Sequence, residues 1–178
     1  MKSDNNSSQI FSLALSLVEP WFVEEVNFLD VEDNPVNKEL HIHINFRKGH
    51  EFITDDGHRG KGYDTEDKTW RHLDFFQHKC YLHARVPRIL SQDGKVRQIT
   101  VPWARSGSGF TLLFEAYSML LIECEMPVNK VARCVKVTAP RMWRDKSGNG
   151  FAVLSFLNIN NSSLSHISKN RNITVTLF

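Results

Sequence analysis

The chain has 178 residues, enough for one medium domain or two small ones, and its 41% hydrophobic and 24% charged residues are ordinary for a soluble globular protein. A formal net charge of +2 argues only weakly for nucleic acid, so the distribution of charge carries more than its sum. The polar start, MKSDNNSSQ, lacks a signal pattern, and the longest apolar run, residues 110–122, is broken by Glu115 and too short to span a bilayer.

Residues 1–14 read as a flexible lead and the start of a short helix over Gln9–Leu17. Phe22–Leu29 has strand character through Val23, Val26 and Phe28, and Asp33-Asn34-Pro35 is a turn signal. Glu39–Phe46 is the cleanest strand: Leu40, Ile42, Ile44 and Phe46 share one face, with His41, His43 and Asn45 on the other. These two segments predict a hairpin. Residues 47–68, rich in Gly, Asp, Lys and His, read as loop. Further strands are predicted at Thr69–Phe75, at Cys80–Ile89 and, after a turn over Leu90–Lys95, at Val96–Val101.

Ser106-Gly107-Ser108-Gly109 reads as a hinge-like connector. Thr111 is placed to cap a helix running to about Glu125, and Pro127 suits the first turn of the next, where its missing N–H costs nothing. That helix carries Val128, Val131, Ala132 and Val135 at helical spacing. Thr138 caps a third helix, with Pro140 in its first turn. Residues 127–144 hold Lys130, Arg133, Lys136, Arg141 and Arg144 and no acid, whereas the first 40 residues lean acidic.

A short helix projecting cations from its N-terminal turn has the shape of a helix-turn-helix. Val128, Val131 and Val135 would seat the second helix, and Thr138, Arg141 and Arg144 would face phosphates or base edges. The competing reading of the same pattern is a three-helix cap with a solvated basic face. Arg105 beside the Gly-Ser connector is a candidate phosphate or minor-groove contact, and Arg85 and Arg88, read on the exposed strand face, would extend the basic track.

Other constellations favour plain readings. His41 and His43, with His50 and His58 nearby, read as a polar strand face rather than a metal site, and His72, His78 and His83 around Cys80 lack knuckle spacing. The Asp55-Asp56 and Asp64-Glu66-Asp67 carboxylates read as solvated loop charge, and Trp70, Trp103 and Trp143 as core. Three cysteines with no CxxC pair fit buried thiols in a reducing cytoplasm, so a cytoplasmic location is expected.

The segments EPWFVEEVNF, KELHIHINF, DTEDKTWRHLDFFQHKCYLHARVPR, VPWARSGSGFTLLFEA and EMPVNKVARCVKVTAPRMWR resemble the N-terminal region of the ISL-three family of bacterial insertion-sequence transposases, over roughly residues 15–144. The resemblance implies a zinc-ribbon-like module followed by a helix-turn-helix, together binding the terminal inverted repeats of the element. It also implies a subsequent ribonuclease-H-like domain with three acidic residues for metal-dependent strand transfer.

Two departures bear on function. The family's two CxxC knuckles fall here on Ile53 and Asp56 and on Leu90 and Asp93, so the knuckle glycines Gly57 and Gly94 survive while all four thiolates are gone. A structural zinc site needs four N or S ligands. None is supplied, and a small apolar contact with a solvated edge is expected in place of the ion. The resemblance also stops near Arg144, and residues 145–178 do not look like the start of a catalytic domain.

The expected architecture is therefore α+β: a β-rich, degenerate zinc-ribbon-like module of about five short strands over 15–105, a helix-turn-helix of three helices over 106–144, and a divergent tail over 145–178. The expected function is binding to double-stranded DNA, the terminal inverted repeats, with no cofactor, no membrane and no strand-transfer chemistry of its own. Two alternatives stay open: a protein-interaction module or regulator pairing with itself or a full-length transposase, and a decayed remnant.

Overall fold

A computed structural model describes residues 4–31, 34–54, 57–91 and 93–143. It divides into two compact units, residues 1–120 and 121–178, of which the second is described as far as residue 143.

The first unit opens with α1 (Asp4–Ala14), followed by β1 (Trp21–Val31), β2 (Asn34–Phe46), β3 (Glu51–Ile53), β4 (Arg59–Lys61), β5 (Asp64–Phe75), β6 (His78–Leu90) and β7 (Val96–Gln98). The main sheet runs β1-β2-β6-β5, with β7 on the far end of β6, while β3 and β4 form a separate two-stranded hairpin. The predicted hairpin of the first two strands is present as the antiparallel β1–β2 pair.

β2 and β6 pair in parallel, with Leu40 opposite Cys80, Ile42 opposite Leu82 and Ile44 opposite Ala84. The period-2 pattern of both strands puts these six side chains on one face, where they are 0–4% exposed. Each buried Leu or Ile contributes roughly 2 kcal/mol. An aromatic block extends this core: Trp103 packs edge-on against Trp21 (4.9 Å between centroids) and Trp70 (5.7 Å), and Trp21 meets Phe52 at 5.8 Å. Phe11, Leu15 and Leu17 cover its margin from the N-terminal segment.

Several expectations need correction. Helix α1 begins at Asp4, inside the predicted lead. Residues 47–68 are not one loop: they hold β3, β4 and the first half of β5. Those pieces escape a hydrophobic-pattern reading because backbone pairing forms them, with Gly60 opposite Phe52, Glu51 opposite Lys61 and Ile53 opposite Arg59. The strands of the sheet are long, 11–13 residues in β1, β2, β5 and β6, rather than short.

α2 (Leu112–Glu123) starts where Thr111 was read as a cap: the Phe114 N–H donates to Thr111 Oγ1 at 3.3 Å and the Glu115 N–H to the Thr111 carbonyl at 3.0 Å. Phe114, Glu115 and Ser118 are buried; Leu113, Tyr117 and Leu120 lie on its exposed side.

The second unit contains α3 (Val128–Cys134) and α4 (Ala139–Trp143). Val131, Ala132, Val135 and Met142 are 0–5% exposed, the apolar face that the helical spacing predicts. Pro127 sits at the N-cap of α3, one position before the first helical turn, and its carbonyl accepts the N–H groups of Lys130 and Val131.

Candidate nucleic-acid interface

The turn between α3 and α4 is set by the backbone. Val137 donates its N–H to the Ala132 carbonyl (3.0 Å) and Lys136 donates to Arg133 (3.2 Å), the two bonds of a Schellman closure, with Lys136 in the left-handed region at φ 54°. The same closure ends the preceding helix: Met126 donates to Leu121, Glu125 donates to Ile122, and Glu125 has φ 61°. Both helix ends are thus stopped without glycine, at a cost of about 1 kcal/mol per L-residue held there. Each helix passes into a short, defined turn rather than a fraying end.

Around this turn the candidate residues lie on two helices. Lys130 and Arg133 are exposed on α3, Lys136 occupies the left-handed position, and Thr138 and Arg141 are exposed at α4. Arg144 and the tail 145–178 lie outside the described residues. The side that buries Val131 and Val135 is apolar and the opposite side basic, with no carboxylate from Pro127 to Trp143. A surface of this charge attracts a polyanion.

The other three candidates belong to the first unit and differ from one another. Arg85 is exposed, with Asp67 at 4.0 Å and side-chain exposures of 65% and 90%, a pairing too solvated to hold it. Arg88 was read on the same face as Arg85, and that is corrected. The register runs unbroken from Arg85 opposite Asp67 to Arg88 opposite Asp64, so the two emerge on opposite faces. Arg88 grips the Asp64 carboxylate with Nε and Nη2, and these hydrogen bonds hold the carboxyl below the usual range. Arg105 donates to Glu115 Oε2 at 2.8 Å, and Glu115 is buried in α2.

The connector beside Arg105 is not a hinge. Ser108, 8% exposed, donates its hydroxyl to Glu115 Oε1 at 2.6 Å and accepts the Phe110 N–H at 3.0 Å. The Arg71 N–H donates to the Gly109 carbonyl and the Thr111 N–H donates to the Arg71 carbonyl, a parallel bridge to β5. Gly107, at φ 78°, makes the bend.

Arg71 is the residue that pattern reading missed. Its side chain is 1% exposed, donates to the Cys80 carbonyl at 3.1 Å and to the His72 carbonyl, and pairs with Asp74. The guanidinium also lies over Tyr81 (5.4 Å) and Phe114 (5.7 Å), so β5, β6 and α2 meet on one buried cation. His72 beside it bonds Thr111 Oγ1 at 2.8 Å. Burial, then the Arg71 charge, push its pKa down to about 4. Burial also drives the Cys80 thiol up to about 12, which keeps it inert.

The histidines of β2 form a ladder that the sequence did not reveal. Parallel pairing sets His43 opposite His83, and His83 stacks between His43 (4.8 Å) and His41 (4.9 Å), with His41 Nδ1 and His83 Nε2 2.7 Å apart. Burial and the two neighbours lower the His83 pKa to about 4. Parallel stacking spends the rings on each other, and among the described residues no group of three or more His, Cys, Asp or Glu is arranged to hold a metal ion.

The zinc implied by the resemblance does not fit the residues present. Asp56 lies outside the described residues, and Ile53 and Leu90 have no donor atom. The two loops nevertheless share one backbone pattern. Gly57 and Gly94 have φ of 81° and 76° and donate to Thr54 and Ser91, whose own N–H groups donate to His58 and Lys95. The apolar contact expected in place of the ion is corrected as well: Ile53 and Leu90 are 55% and 48% exposed. Asp93 instead ties its own turn, accepting from the Lys95 N–H (3.1 Å) and from Arg97 (2.9 Å).

A two-helix basic unit built around this turn has the form of a helix-turn-helix. Residues 99–144 match the family described as the helix-turn-helix domain of transposase family ISL3, and the segment is a helix-turn-helix region similar to that of ISL3-family transposases. None of the curated proteins and none of the solved structures compared with the chain matches it. A domain of this kind points to a DNA-binding role.

Proposed function

We propose that the chain binds double-stranded DNA at the terminal inverted repeats of its element, as in the end-recognition step of a transposase, and supplies no strand-transfer chemistry of its own. The observation that carries the reading is the acid-free basic side of α3 and α4, within a segment matching a transposase helix-turn-helix domain. In this reading α4 enters the major groove, Thr138, Arg141 and Arg144 contact its edges or phosphates, and Lys130, Arg133 and Lys136 fix the register on the backbone. Arg85 remains an auxiliary contact. Arg88 and Arg105 act first through Asp64 and Glu115, shaping the β-rich unit and the start of α2.

The β-rich unit is, in this reading, a ribbon that has lost its metal and kept its turns. A DNA-bound chain of this kind occupies the repeats and represses or modulates a full-length transposase in the cytoplasm. Fluorescence anisotropy on the flanking inverted repeat and on a scrambled duplex, at two salt concentrations, tests it. Selective binding is expected, with Arg133→Ala and Arg141→Ala each reducing the slope of log K against log salt by about 1. Equal, salt-abolished binding to both duplexes would remove the sequence-specific reading.

A further inference from the structure

A cleft of about 370 Å³ opens at one end of the polar sheet face, lined by Phe22 and Glu24 of β1, Asn45 and Phe46 of β2, Arg47 and Lys48 just beyond it, Thr65 of β5 and Arg85 of β6. Three of these eight are cations and one is a carboxylate. Glu24 is engaged by Asn45, whose Nδ2 donates to it at 3.1 Å. Among the described residues neither Arg47 nor Lys48 lies within ion-pairing distance of a carboxylate. Arg85 faces the solvated Asp67 at 4.0 Å.

The cations are placed rather than trailing. Arg47 donates its N–H to the Pro20 carbonyl (2.9 Å), and its own carbonyl accepts from His50 (3.3 Å) across a turn with Gly49 at φ 82°. That is a type II turn, and it needs glycine at this position. The Arg47 guanidinium lies 5.0 Å from the centroid of Phe22, which stiffens it against the floor of the cleft. A positive, partly apolar hollow with a preset arginine matches a phosphate carried on an apolar body, such as a sugar-phosphate unit.

We propose that this cleft takes a backbone phosphate of the bound DNA, giving the β-rich unit a contact of its own in addition to the helix-turn-helix. The proposal rests on the DNA-binding reading, and free phosphate is the other source of the same chemistry. The test is NMR titration of the full chain, tracking the Phe22 and Arg47 amides and the Asn45 side-chain amide. Separately, the Lys130, Arg133 and Arg141 amides report on the helices. The two titrants are a repeat-bearing duplex and inorganic phosphate.

Cleft shifts that saturate with the duplex, together with a roughly five-fold weaker duplex affinity in Arg47→Ala/Arg85→Ala, are expected. Unmoved cleft signals overturn the proposal. In that case shifts in the helices show that the DNA reading stands, and their absence shows that it falls too. Cleft shifts with inorganic phosphate but not with duplex also overturn it, by assigning the cleft to a free anion.

Discussion

His72 couples the β-rich unit to the start of α2, and its protonation offers a direct probe of that joint. Its folded pKa is about 4 against an ordinary 6.5, because burial and Arg71 disfavour the charged ring. The folded state therefore binds fewer protons than the unfolded chain between these values, and stability is complete above pH 6.5 and lost as pH falls toward 4. With these two pKa values the loss is about 2 kcal/mol at pH 5 and about 3 kcal/mol at pH 4. His72→Gln keeps a partner for Thr111 Oγ1 and cannot titrate. Urea denaturation of both proteins at pH 7.5 and pH 5 measures the effect. The wild type is expected to lose about 2 kcal/mol more than the variant over that interval. Parallel losses in the two proteins would refute the assignment of the proton to His72.

Arg71→Ala should cost about 3 kcal/mol or more in urea denaturation, since it removes the buried cation that pairs with Asp74 and donates to the Cys80 carbonyl, and a loss under 1 kcal/mol would deny Arg71 that role. Lys136→Gly should raise stability by about 1 kcal/mol by relieving the left-handed residue, yet weaken duplex binding. A thermal melt and an anisotropy titration on the same sample separate the two effects, and a destabilised variant would contradict the turn geometry. Placing cysteines at Ile53, Asp56, Leu90 and Asp93 together should create a tetrahedral site with thiolate-to-cobalt absorption at one equivalent of Co(II), whereas no such band would mean that the two loops do not face a common centre.

What could be read from the residues depended on whether local pattern or long-range pairing decides the structure. Leu40, Ile42 and Ile44 announce β2 because a half-buried strand must alternate. Thr111, Pro127 and Thr138 announce the helix starts because capping is local chemistry. The candidate cations of α3 and α4 come from the same spacing. By contrast, the His43–His83 contact and the Arg71 hub depend on which strands become neighbours. The parallel β2–β6 pairing joins residues some 40 positions apart, and no periodicity encodes it. Arg71 has no local signal, because its partners, Cys80, Tyr81 and Phe114, converge on it only in the fold. The exposed-face reading of Arg88 failed on simple parity, which residue spacing alone was enough to exclude.

The loops at Gly57 and Gly94 share one backbone conformation. In a zinc ribbon the ion supplies the cross-link and the glycine supplies the conformation. Here the glycines hold φ near 80° and donate their N–H groups to Thr54 and Ser91, so each turn is closed by the chain's own bonds. The β3–β4 hairpin is joined to the core through Phe52, 6% exposed and packed 5.2 Å from Phe46 and 5.8 Å from Trp21. On the same face Ile89 presses against Gly60, the register partner of Phe52, where a Cβ would lie 2.9 Å from its Cγ2. Hydrophobic contact holds the hairpin to the sheet. Phe52→Ala, rather than any chelator, is therefore the perturbation that should release the hairpin. It should cost about 3 kcal/mol in urea denaturation. EDTA, in contrast, should leave the midpoint of unfolding unchanged, and a chelator-sensitive midpoint would show that a metal still holds the loops.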